Sequence, residues 1–180
     1  MADIKKALTK LFGVEGGFQK DPDDNGNWTG GKAGVGRLVG TKYGICAASY
    51  PDEDIPNLTL DRAAAIYERD FWSPLRLSDV QNQTIATEIF DTAVNCGVGT
   101  AARIVQSAVN LTNYPEPDIA IDGKIGPATI GAVNGHKSPK AFYKALNGFQ
   151  FVRYTEIVKA NPKQEKFIRS WLGRVFEATV

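Results

Sequence analysis

From residue 84 onward the chain repeats apolar side chains at three- and four-residue intervals, and glycine and proline interrupt the pattern at a few fixed places. That periodicity restricts the fold more than any other feature, because a 3.6-residue period buries one face of a helix and cannot serve a strand. Ile85, Ile89, Ala93 and Cys96 form one stripe, Gly97–Gly99 breaks it, and helical spacing resumes over Ala101–Leu111. The next segment, NYPEPDIAIDGKIGPAT, is rich in turn residues, and Pro127 near its end suits the first position of a helix. A long helix is predicted from Pro139 to Ala160, carrying Phe142, Leu146 and Phe149. A last helix starts at Pro162 and carries Ile168, Trp171, Leu172 and Val175.

The first half is less regular. Ile4, Leu8 and Leu11 mark an amphipathic helix with Asp3 as its cap, and Thr59 caps a second helix running to Trp72. Leu60, Ala64, Tyr67 and Phe71 share one face of that second helix, and Pro74 stops it. Between them, residues 21–50 are rich in Gly, Asp and Asn, with short β-capable runs at Gly36–Val39 and Tyr43–Ala47. That composition predicts loops and a small hairpin.

The 43% hydrophobic content supports a packed core, so a disordered chain is excluded. A net charge of +1, from 21 basic and 20 acidic residues, gives no general affinity for nucleic acid. No run of 18 apolar residues exists to form a membrane span. The start, MADIKKALTKLF, lacks the apolar core of a secretory signal, which implies synthesis in a reducing cytoplasm with Cys46 and Cys96 as free thiols.

Chemistry concentrates in VEGGFQKDPDDNGNWTGG, residues 14–31. The Asp21–Gly26 run matches the first half of a calcium loop, but Lys32 stands where the bidentate glutamate belongs. Gly26 to Lys32 matches a phosphate loop in spacing, but Ala33 replaces the magnesium-binding hydroxyl. A solvated acidic turn accounts for the aspartates taken alone. Glu15 is different: it lies about 20° from Ile4 at about 100° per residue, on the apolar stripe and at the helix C-terminus. Both positions favour the protonated carboxyl, the form a general acid needs. Asp24, nine residues on, supplies a second carboxylate in a polar turn, and the two together suit glycoside cleavage.

Glu15-Gly-Gly-Phe18, Asp21-Pro-Asp-Asp24-Asn-Gly26 and Thr41-Lys-Tyr-Gly-Ile45 resemble the signature of glycoside hydrolase family 108, the N-acetylmuramidases of phage endolysins and secretion-associated muramidases. Phe90-Asp-Thr-Ala-Val-Asn95-Cys-Gly97, Val105-Gln106, Asp122-Gly-Lys-Ile-Gly-Pro127-Ala-Thr129 and Phe167-Ile-Arg-Ser-Trp171-Leu-Gly-Arg174 are similar to the peptidoglycan-binding region that follows in that family. The resemblance implies a mainly α, lysozyme-like α+β fold with a small hairpin near the active site and a helical C-terminal lobe. It implies a catalytic region over residues 1–97 and a peptidoglycan-binding region over 98–180, packed on it as one compact monomer. The implied activity is hydrolysis of the β-1,4 bond between N-acetylmuramic acid and N-acetylglucosamine, without a cofactor, by a prophage endolysin that reaches the wall through a holin-type or secretion-linked route.

By the same resemblance Glu15 is the general acid, and Asp24 with Thr41 holds the attacking water. Asp21 is the alternative to Asp24. Thr29 is the alternative to Thr41, because GGKAGVGRLVG separates Thr29 from Thr41 where the family runs without a break. Tyr43, Trp28 and Trp72 are candidate sugar-stacking rings or packing residues. Asp91 and Asn95, one turn apart, are candidate saccharide hydrogen-bonders or buried structural groups. One histidine, His136, in a turn read as exposed, and two distant cysteines make neither a zinc set nor a serine triad. Arg153 and Glu156 read as a structural ion pair. Lys163, Lys166, Arg169 and Arg174 give the last helix a basic face that offers weak contact with an anionic envelope, or simply a solvated surface. A lytic transglycosylase and a non-catalytic peptidoglycan-binding or virion protein are the competing functions.

Overall fold

The computed structural model describes residues 1–14 and 17–175; Glu15, Gly16 and 176–180 lie outside them, so the expectation placed on Glu15 does too. The fold is mainly α and lysozyme-like, with one small antiparallel hairpin among the described residues. It divides into two compact units, Lys5–Asp70 and Met1–Ile4 with Phe71–Val180.

In the Lys5–Asp70 unit, α1 (Ile4–Val14) buries Ala7, Leu8 and Leu11. The hairpin pairs β1 (Thr41–Lys42) with β2 (Ile45–Cys46), placing Thr41 opposite Cys46 and Lys42 opposite Ile45. Its two-residue turn has φ of 51° at Tyr43 and 75° at Gly44, the mirror-image turn that matches strand twist. Gly44 is required twice over, since a Cβ there would stand 2.4 Å from the Tyr67 hydroxyl. That hydroxyl donates to the Tyr43 carbonyl at 3.0 Å and ties the turn to α2 (Leu60–Tyr67). The Thr59 side chain caps α2 by accepting from the Arg62 amide at 3.2 Å, as its sequence predicts. The buried stripe differs: Ala63, Ile66 and Tyr67 face inward while Leu60 is exposed. Beyond Tyr67 the chain widens into a π-helical turn, Glu68–Trp72, so continuous α-helix to Trp72 is not what forms.

In the second unit, α3 (Gln83–Cys96) is capped by Asn82 and buries half of its residues, including Ile85, Ile89, Phe90 and Ala93. Gly97, at φ 85°, ends it and allows α4 (Val98–Thr112) to start at once. α5 (Pro127–Asn134) and α6 (Pro139–Ala160) begin on their prolines as predicted, α6 with Ser138 as cap. The last segment opens with a 3-10 stretch, Pro162–Phe167, before α7 (Ile168–Val175). α4 packs on α3 and α6, and α6 on α7. Trp72 sits in this core, edge-on to Phe90 at 5.6 Å with its indole N–H on Ser78 Oγ, so it is a packing residue.

Buried Gln106 joins two of the sequence motifs. Its Nε2 donates to Asp122 Oδ1 at 2.7 Å and to the Lys124 carbonyl at 3.0 Å, while its Oε1 accepts from the Gly123 amide at 2.9 Å. The turn before α5 is thereby fixed to α4 by an amide whose polar atoms are paired. His136 is not an exposed loop residue: it stacks on Phe142 at 5.3 Å and stands 2.9 Å from Thr112 Oγ1. Burial holds its pKa below the ordinary histidine value. Arg153 and Glu156 form the expected pair at 3.5 Å.

Candidate active site

Asp24 caps the short 3-10 turn Asn25–Asn27, its Oδ1 accepting from the Gly26 amide at 2.9 Å. This is the turn chemistry its sequence predicts, since an aspartate side chain readily satisfies the amide two residues on. Asp21 does the same three residues earlier, with Oδ1 accepting from the Asp23 amide at 2.9 Å. The second oxygen of Asp24 has a further partner: Gln19 Nε2 donates to Oδ2 at 3.1 Å.

Gln19 leads inward. It exchanges two hydrogen bonds with Asn27, Nε2 to Oδ1 at 3.1 Å and Nδ2 to Oε1 at 2.8 Å. Asn27 is wholly buried, and its Oδ1 also accepts from Thr41 Oγ1 at 2.7 Å. A chain of side-chain hydrogen bonds therefore runs Thr41, Asn27, Gln19, Asp24. Backbone bonds support it, since Gln19 and Thr41 exchange both amide hydrogen bonds at 2.9 Å. Gly40 is needed for this approach: at φ 114°, any Cβ would meet the Gln19 carbonyl at 2.6 Å and the Phe18 ring at 2.7 Å.

The two candidate threonines have different surroundings. Thr29 Oγ1 accepts from the Arg37 amide at 2.9 Å, inside a loop closed by the Trp28–Leu38 bridge. At the foot of that loop, the Asn27 carbonyl accepts from both Val39 and Gly40 amides at 2.9 and 3.1 Å. The inserted residues are thus looped out, and Thr41 resumes beside Asn27 as if they were absent. Gly36–Val39 forms only the single bridge at Leu38 and no strand among the described residues.

Tyr43 is half-buried, with Phe12 edge-on to its ring at 5.9 Å and Lys42 Nζ 5.5 Å from its centroid. Trp28 is half-buried too, held by its indole N–H on the Pro22 carbonyl at 2.8 Å. Asp91 and Asn95 belong to the other unit. The Asp91 carboxylate accepts from Arg174 Nη1 at 3.0 Å and from Gln150 Nε2 at 3.4 Å, and the Asn95 amide donates to the Asp91 carbonyl at 2.8 Å. Arg174 accordingly turns inward to Asp91 and does not belong to the exposed basic face formed by Lys163, Lys166 and Arg169. Burial pushes the Cys96 thiol up to about 11. Among the described residues no group of three or more His, Cys, Asp or Glu side chains converges as metal ligands would.

Sequence reasoning passed over Gln19 and Asn27. Amides carry no charge and fit no acid/base pattern, and only the burial of Asn27, with four side-chain hydrogen bonds to three residues, distinguishes it.

Residues 8–97 match the family profile of glycosyl hydrolase 108, and residues 100–176 match one described as "Predicted Peptidoglycan domain". Among solved structures, that of Brucella abortus SagA matches with a TM-score of 0.69 at 22% identity, over 95% of this chain and 88% of that one. At this identity the likeness concerns the fold. Comparison with curated proteins gives no sequence match.

Proposed function

The chain belongs to the glycosyl hydrolase 108 family, and from that premise we propose that it is an N-acetylmuramidase, cleaving the β-1,4 bond between N-acetylmuramic acid and N-acetylglucosamine. The chain is a glycoside hydrolase of peptidoglycan; the choice of bond is the proposal. The observation that carries it is the succession, in one chain, of the hydrolase match over 8–97 and the peptidoglycan match over 100–176. The proposed division of labour follows those two spans.

In the proposed mechanism Glu15 donates its proton to the leaving oxygen, and the polar turn supplies the second carboxylate, Asp24. Two observations favour Asp24 and Thr41 over Asp21 and Thr29: their shared hydrogen-bond chain, and the engagement of Thr29 within the loop. A water donating to both Asp24 and Thr41 would direct its lone pair at the anomeric carbon. Tyr43 is proposed to stack on a sugar ring. Saccharide bonding by Asp91 would require its pair with Arg174 to open. Host lysis by a prophage-encoded enzyme is the setting we propose for this activity.

The competing reading, a binding module without catalysis, is separated by one assay. Purified sacculi treated with the protein should release new reducing ends and lose turbidity. Sedimentation of the protein with sacculi that neither clear nor gain reducing ends would favour the module.

A further inference from the structure

We propose that Gln19 and Asn27 are positioning residues, an amide pair with Asn27 buried and Gln19 at the surface, which fixes Asp24 and Thr41 in one frame and holds the Thr41 hydroxyl as a hydrogen-bond acceptor. The proposal rests on the glycosidase reading above and adds two residues to it.

The bond inventory is what makes the pair a device. Asn27 has two N–H donors, spent on Gln19 Oε1 at 2.8 Å and the Asp21 carbonyl at 2.9 Å. Its Oδ1 accepts twice, from Gln19 Nε2 at 3.1 Å and Thr41 Oγ1 at 2.7 Å. Gln19 is equally complete: Nε2 gives one hydrogen to Asn27 and one to Asp24 Oδ2 at 3.1 Å, and Oε1 also accepts from the Asp21 amide at 3.2 Å. Neither amide can be flipped without setting donor against donor and acceptor against acceptor, so the network has one orientation.

Two consequences follow for the chemistry. Thr41 has a single hydroxyl proton, and Asn27 Oδ1 takes it, so only lone pairs remain to face a water. Thr41 can then accept from that water but cannot donate to it, which leaves the water's own lone pair for attack. Asp24 is restrained on both oxygens, by the Gly26 amide and by Gln19. Because the chain of bonds is continuous, a disturbance at Gln19 reaches Thr41 through Asn27.

The test compares Gln19→Met, Thr41→Val and their double variant, with Thr41→Ser as the conservative control, on soluble glycan fragments. Gln19 is exposed, so its replacement opens no cavity in the core, and circular dichroism and thermal melting verify that each variant is folded. Each of Gln19→Met and Thr41→Val should lower kcat about 10–100-fold, as misplacement of a reacting group does, with KM within about twofold. The double variant should be no slower than the worse single one. Thr41→Ser keeps the proton for Asn27 and should stay within about threefold of wild type. Independent, multiplying losses, or equal activity of Thr41→Ser and Thr41→Val, would overturn the relay. Wild-type kcat in Gln19→Met beside an inactive Glu15→Gln would remove this proposal alone. Full activity in both Glu15→Gln and Asp24→Asn would remove the glycosidase reading beneath it.

Discussion

Glu15→Gln is expected to lower the rate of peptidoglycan cleavage by about 10²–10⁴-fold, the usual contribution of a positioned general acid. Glutamine keeps the shape and hydrogen-bonding reach of glutamate but has no proton to give the leaving oxygen. In a glycoside the leaving group is a sugar alkoxide, which departs with difficulty unless protonated as the bond breaks. Affinity for sacculi should be unchanged, because the peptidoglycan match lies at 100–176 and position 15 is not in it. The melting temperature should stay within a few degrees. The measurement is initial release of reducing ends from purified sacculi, at matched protein concentration, beside a sedimentation assay for binding. Undiminished release by a folded Glu15→Gln protein would move the acid elsewhere in the chain.

Asp91→Ala should destabilise the protein by about 3 kcal/mol. The Asp91 and Arg174 side chains are only 13% and 19% exposed, so this pair is far from the solvent-screened kind. Removing the carboxylate takes from Arg174 the acceptor that stands 3.0 Å from its Nη1, at a place where little of either side chain meets water. Gln150 Nε2 loses an acceptor as well, although Tyr154 still accepts from it at 3.1 Å. Replacing both charges, as Asp91→Leu with Arg174→Met, should recover much of the loss, since a buried pair exchanged for apolar groups is often close to neutral. Urea-induced unfolding followed by circular dichroism measures both. Unchanged stability in Asp91→Ala, with weaker binding of glycan fragments, would instead make Asp91 a saccharide contact.

These residues also mark where the sequence was legible. Helix limits were, because glycine and proline act locally: Pro127, Pro139 and Gly97 delimit α4 to α6 where their backbone restrictions require. The face a short helix buries was less so. In α2, Leu60 falls in the first turn, where one apolar residue gains little burial, and Ala63 and Ile66 take the core side. Pairings between distant residues left no trace at all. Asp91 and Arg174 are 83 residues apart, and a basic amphipathic helix gives no sign that one of its cations turns inward.

The candidate site shows the same division. The capping role of Asp24 follows from its own short side chain and could be read locally. The place of Thr41 depends on whether the inserted residues fold out as a closed loop, which the Asn27 carbonyl decides by accepting from Val39 and Gly40. The Gln19–Asn27 pair was invisible because its meaning lies in the burial of Asn27 and in complete pairing, neither of which is a property of residue type.

The central claim, hydrolysis at the muramic acid side of the glycan, is tested most directly by mass spectrometry of sacculi digested in ¹⁸O-labelled water. The account predicts fragments ending in reducing N-acetylmuramic acid, each carrying one ¹⁸O at the new end. Fragments ending in 1,6-anhydro-muramic acid without label, or in reducing N-acetylglucosamine, would contradict it.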